Sequence, residues 1–123
     1  MKIRIRENSI RFRITRTELD IFAKKGLLEN KTEFGFADFV YAMQALEGIE
    51  ELAATYIGNK ITVFVPAKMK SEWATTDIVG FSNNMNTGNG RTLSLLIEKD
   101  WACIDNTSGE DQADNFKNPN TVC

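Results

Sequence analysis

Isoleucine or phenylalanine alternates with a basic residue along the first fifteen positions, Met1-Lys-Ile-Arg-Ile-Arg-Glu-Asn-Ser-Ile-Arg-Phe-Arg-Ile-Thr15. A period of two, broken by Glu7-Asn8-Ser9, predicts a β-hairpin. With Asn8 and Ser9 at its turn, Ile3 pairs with Ile14 and Ile5 with Phe12 on one face, and Arg4 with Arg13 and Arg6 with Arg11 on the other. The period then changes. Thr15 and Glu18 have capping-box spacing, Leu19, Ile21, Phe22 and Ala23 follow at helical intervals, and Lys24, Lys25 and Gly26 suit a helix end, so residues 16–25 read as a helix.

Residues 27–34 alternate again, with Leu28, Thr32 and Phe34 opposite Glu29, Lys31 and Glu33, and predict a strand. Gly35 to Asp38 makes a turn. Residues 39–46 mix strand formers (Phe39, Val40, Tyr41) with helix formers (Ala42, Met43, Leu46) and are assigned to a strand. Residues 52–57 and 60–65 form a second hairpin about Gly58-Asn59. Pro66 opens a second helix, where its missing N–H costs nothing, and Met69, Trp73 and Ala74 give that helix an apolar stripe. Residues 78–83 read as a strand, 84–90 as an asparagine- and glycine-rich loop, and 91–100 as a strand with Leu93, Leu95 and Ile97 on one face and Thr92, Ser94, Leu96 and Glu98 on the other.

These elements repeat. A shift of 51 residues lays Asn8 on Asn59, Phe12 on Val63, Ile14 on Val65, Phe22 on Trp73 and Leu28 on Val79, so both halves read β-β-α-β-β. The expected fold is α+β, an antiparallel barrel or strongly curved sheet of seven to eight strands flanked by two helices. The first helix is expected to cover the apolar face of the opening hairpin, which turns the arginines toward the concave side. The domain spans residues 1–104. Residues 105–123 form an acidic, polar tail too poor in apolar groups to build a core; it is either disordered or anchored by Phe116 with its acids reaching the arginine face.

Composition narrows the chemistry. A chain of 123 residues with 42% hydrophobic and 26% charged positions is long enough for one self-sufficient core. It lacks a secretion or membrane-spanning pattern and is expected to be cytoplasmic. The net charge of −2 conceals an uneven distribution: residues 1–31 carry nine Lys and Arg against four acids, the remainder six against thirteen. A basic hairpin on an acidic body does not suit general nucleic-acid binding, which needs a broad positive surface, but allows a local anion site. There is no histidine, which excludes imidazole bases and His-ligated metal centres. Cys103 and Cys123 have neither metal-site nor CxxC spacing and read as reduced.

The segments KIRIRENSIRFRIT, ITVFVPAKMKSEWATTDIVG and LIEKDWACID with GEDQADNFKNP resemble a family of short uncharacterised bacterial proteins over nearly the whole chain, which implies one unit that includes the tail. The duplicated layout is separately similar to that of the CYTH, or triphosphate tunnel, proteins. That likeness implies an eight-stranded barrel, inward Arg and Lys for a triphosphate, and Glu residues for a divalent metal. Where that family has Glu-x-Glu-x-Lys, this chain has Lys2-Ile3-Arg4-Ile5-Arg6, so the metal-binding pair is missing from its place.

Arg4, Arg6, Arg11 and Arg13 are the candidate anion-binding residues, because guanidinium forks engage phosphate or carboxylate through paired hydrogen bonds. The alternative is a charged face held by internal salt bridges to Glu33, Glu98 or the tail. Glu33, Glu98 and Asp100 are the candidate carboxylates for Mg²⁺. Residues 86–92 resemble a phosphate loop only in composition. Three readings follow: a non-enzymatic module for a small anion or acidic peptide, a divergent CYTH-like Mg-dependent phosphohydrolase, and a structural or protein-interaction domain without a ligand.

Overall fold

The computed structural model describes residues 1–100, and in them β1 (Lys2–Arg6) and β2 (Ser9–Ile14) form the opening hairpin. The expectations for the tail, Cys103, Phe116 and Cys123 lie outside the described residues. The hairpin's register differs from the expected one: Ile3 lies opposite Phe12, Arg4 opposite Arg11 and Arg6 opposite Ser9. The two-residue turn is Glu7-Asn8, with Glu7 at φ 50°, one position earlier than the expected Asn8-Ser9. The slip on one strand is two residues, so every side chain keeps its face.

Helix α1 (Arg16–Lys25) has the predicted limits. The Thr15 hydroxyl accepts from Glu18 N–H, the Glu18 carboxylate accepts from Thr15 N–H, and Gly26 ends the helix at φ 70°. β3 (Leu27–Glu33) and β4 (Asp38–Leu46) pair antiparallel, so the ambiguous segment is a strand. β5 (Ala53–Ile57) and β6 (Lys60–Pro66) form the hairpin about Gly58-Asn59. Pro66 closes β6 as the residue before α2 (Ala67–Thr75). β7 (Gly80–Gly88) and β8 (Arg91–Lys99) form the last hairpin. The expected loop at 84–90 is therefore mostly strand. Its asparagines are poor strand formers, but the ladder to β8 supplies their backbone partners and leaves Asn89-Gly90 as the turn.

The eight strands form two separate four-stranded sheets, ordered β1-β2-β8-β7 and β3-β4-β6-β5. This corrects the closed antiparallel barrel: among the described residues no ladder joins the sheets, and the central pairs β2·β8 and β4·β6 are parallel. Each helix carries the chain from one sheet to the other, so the two hairpins of one half never share a sheet. Every strand leading into a helix starts at a hairpin turn and every strand leaving one ends at a turn; the turns thus lie at the end away from the helices.

The core lies between the two sheets and against the helices. Phe12, Ile14, Leu95 and Ile97 of the first sheet, Met43, Ile61, Val63 and Val65 of the second, Leu19 and Phe22 of α1 and Trp73 of α2 form one buried cluster. Phe12 meets Tyr41 across the sheets at 6.0 Å between ring centroids, and Phe22 meets Trp73 edge-on at 6.4 Å. Phe12 and Ile14 of β2 share that cluster with Leu19 and Phe22, but α1 packs chiefly on β3 and α2 and Ile5 stays exposed, so the helix does not roof the whole apolar face of the hairpin as expected. The arginines then project from the outer face of the first sheet rather than into a tunnel, because the space between the sheets is filled by apolar side chains.

Candidate functional site

Strand registers set the outer face of the first sheet in rows. Lys2, Arg13 and Glu98 form one row, Arg4, Arg11, Leu96 and Ser82 the next, and Arg6, Ser9, Ser94 and Asn84 the third. Like charges side by side at Arg4 and Arg11 repel. Glu98 offsets part of this: its Oε1 accepts from Arg13 Nε at 2.6 Å and lies 3.7 Å from Arg11 Nε. The pair is partly exposed, so it stabilises the fold by on the order of 1 kcal/mol. Asp100 is held by Lys2 Nζ at 2.9 Å.

Beyond that ion pair the face is hollowed. A depression of about 360 Å³ is lined by Arg4, Arg6 and Arg11 on one side and by Ser82, Asn84 and Ser94 on the other. Its floor is fixed by hydrogen bonds: Ser94 Oγ donates to Asn84 Oδ1 at 2.9 Å, Ser94 N–H to Asn8 O at 3.0 Å, and Asn8 Nδ2 to Thr92 O at 2.5 Å. The arginine-bearing turn is thereby fastened to β8. The concavity brings guanidinium groups, neutral polar side chains and the apolar Ile10, Leu95 and Leu96 to one opening, with no carboxylate among the described residues of its lining, an arrangement suited to an oxyanion. A second cleft, near the α2 N-terminus, is lined by Glu47, Glu50 and Glu72 with Lys68 and lacks that character.

The sequence-derived site residues divide accordingly. Arg4, Arg6 and Arg11 line one opening, Arg11 also lying within 3.7 Å of Glu98, whereas Arg13 is turned to Glu98 and lines none of it. Glu33 stands at the end of β3 opposite Asp38, on the other sheet from Glu98 and Asp100, so the three candidate Mg²⁺ carboxylates are not assembled. No group of three acidic or cysteine ligands is found among the described residues. Trp73 is a core residue whose Nε1–H donates to Val79 O at 3.0 Å. No described helix is long and apolar enough to cross a membrane. Ser94 is an outward position of an expected strand and Ser82 lies within the expected strand 78–83, but their place beside the arginines depends on strand partners that the sequence does not show, and Asn84 joins them only because β7 runs on through the asparagines.

Fold and site together define a class: a two-sheet α+β protein with duplicated topology and an arginine-bordered depression on one outer face. The chain belongs to a family of unknown function, DUF7009, which it matches over residues 1–120. No curated protein and no solved structure matches it.

Proposed function

We propose that this protein is a binding module for a small polyvalent oxyanion, a phosphate ester, polyphosphate or polycarboxylate, held at the depression of the first sheet. The observation that carries the reading is the convergence of Arg4, Arg6 and Arg11 with Ser82, Asn84 and Ser94 around one opening of about 360 Å³, within the range of small-ligand sites. Guanidinium groups supply charge and forked donors, and the hydroxyl and amide groups supply directional contacts that choose among anions. Each charge-assisted hydrogen bond contributes on the order of 1.5–3 kcal/mol where water is excluded.

The phosphohydrolase reading needs carboxylates beside the arginines to hold a metal, and Glu98, on the same face, is engaged by Arg13. Calorimetric titration with pyrophosphate, with and without Mg²⁺, tests the proposal. Binding should be saturable, weaken with salt, and fall at least tenfold in Arg11→Ala while the fold is kept. Undiminished binding in Arg11→Ala would remove the site from this face, and phosphate release dependent on Mg²⁺ would favour the hydrolase instead.

A further inference from the structure

We propose that the acidic segment after β8, residues 105–114, docks on this same arginine-lined depression as a tethered competitor and sets the affinity of the site for external anions. This rests on the anion-site reading and adds its regulation.

Four observations converge on that segment. Asp105, Glu110, Asp111 and Asp114 carry four negative charges, with a single base nearby at Lys117. The chain also leaves the sheet on the right side. Ser94, Leu96 and Glu98 of β8 face outward beside Ser9, Arg11 and Arg13, and Asp100 continues that alternation, its carboxylate on Lys2 and its N–H donating to Ile14 O at 2.8 Å. The path is short as well. From the Glu98 row to the Ser94 row is four residues of strand, about 13 Å, while the ten residues from 101 to 110 can span up to about 33 Å. Finally, the family match runs to residue 120, so the segment and the arginine hairpin belong to one family unit.

Tethering makes a weak contact effective. A short connection gives an effective concentration on the order of 1 mM, so a segment held with a dissociation constant of about 0.1 mM would lower the apparent affinity for a free anion about tenfold. A multivalent anion displaces it, and a monovalent one does not.

Two measurements on the full chain test this. A nitroxide on Gln112→Cys, with Cys103 and Cys123 replaced by serine, should broaden the backbone amides of Arg4, Arg6, Arg11 and Ser94, and spare Ala42 and Thr62 on the second sheet. Adding Glu110→Gln, Asp111→Asn and Asp114→Asn should abolish the broadening and raise the affinity for pyrophosphate about tenfold. Absent broadening, with equal pyrophosphate affinity in both chains, would overturn the tethered competitor and leave the anion site standing. Selective broadening lost in the neutralised chain, with pyrophosphate bound by neither, would seat the segment on this face but overturn both the competitor and the external-anion site.

Discussion

A Cβ built on Gly80 would lie 2.0 Å from the carbonyl oxygen of Ile97 and 2.9 Å from the Cα of Glu98. Both neighbours are backbone, which cannot swing away, so β7 approaches β8 at a spacing only glycine permits. Gly80→Ala should therefore cost about 2 kcal/mol or more in the urea midpoint, and should loosen the Arg13–Glu98 pair because Gly80 and Glu98 are ladder partners. Glu18 illustrates charge rather than space. Burial alone pushes its carboxyl pKa up, but the Met1 ammonium and the N–H and hydroxyl of Thr15 outweigh burial and hold it below the ordinary 4.5. A depressed carboxylate contributes stability above its unfolded pKa and loses it as pH falls through the folded value. Glu18→Ala should thus be less stable by about 1 kcal/mol at pH 7, with the gap narrowing below about pH 4.5. Chemical denaturation at pH 7 and pH 3 reads both; an unchanged gap would show that charge is not involved.

At the scale of elements, the β-β-α-β-β order occurs twice, and the two helices meet through equivalent positions. Glu7-Asn8 and Gly58-Asn59 are equivalent turns at an offset of 51 residues, and Phe22 and Trp73, equivalent by the same offset, are both fully buried and in contact. After the helices the offset grows: Leu27 and Asp38 open strands where Gly80 and Arg91 open theirs, 53 residues later. The expected match of Leu28 with Val79 consequently fails by two positions. Trp73→Ala should cost about 3–5 kcal/mol. Trp73→Phe, which keeps the ring against Phe22 and loses the hydrogen bond to Val79 O, should cost about 0.5–1.5 kcal/mol for that bond, in addition to any packing loss; circular dichroism during denaturation separates the two. Alternation and capping made the hairpins and α1 legible, since those signals are local and each residue type carries its own cause. Partner choice was not legible: a period of two says which face of β2 is apolar, but not that β2 lies beside β8. The site inherited that gap, with its arginines visible in one hairpin and its hydroxyl and amide half hidden in another.

For the whole molecule, the consequential fact is that each sheet takes one hairpin from each half. β1 and β2 are completed by β8 and β7, and β3 and β4 by β6 and β5. Ser9 lies opposite Ser94, a pairing between distant parts of the chain that must wait for loop closure, so the protein should fold more slowly than its hairpins and unfold in one transition. Neither half can bury its own apolar faces, because the hairpin that completes each sheet belongs to the other half, and isolated hairpins are marginal in water. A chain divided between Glu50 and Glu51, both exposed, should therefore give two fragments that are each unfolded alone and regain the native circular dichroism when mixed. The fragments also judge the site. Fragment 1–50 carries Arg4, Arg6, Arg11 and Arg13, while Ser82, Asn84 and Ser94 come with fragment 51–123. If the depression is what binds, saturable pyrophosphate binding appears only on mixing. If fragment 1–50 alone binds as tightly as the complex, positive charge suffices without the sheet, and the folded depression is not the recognition element.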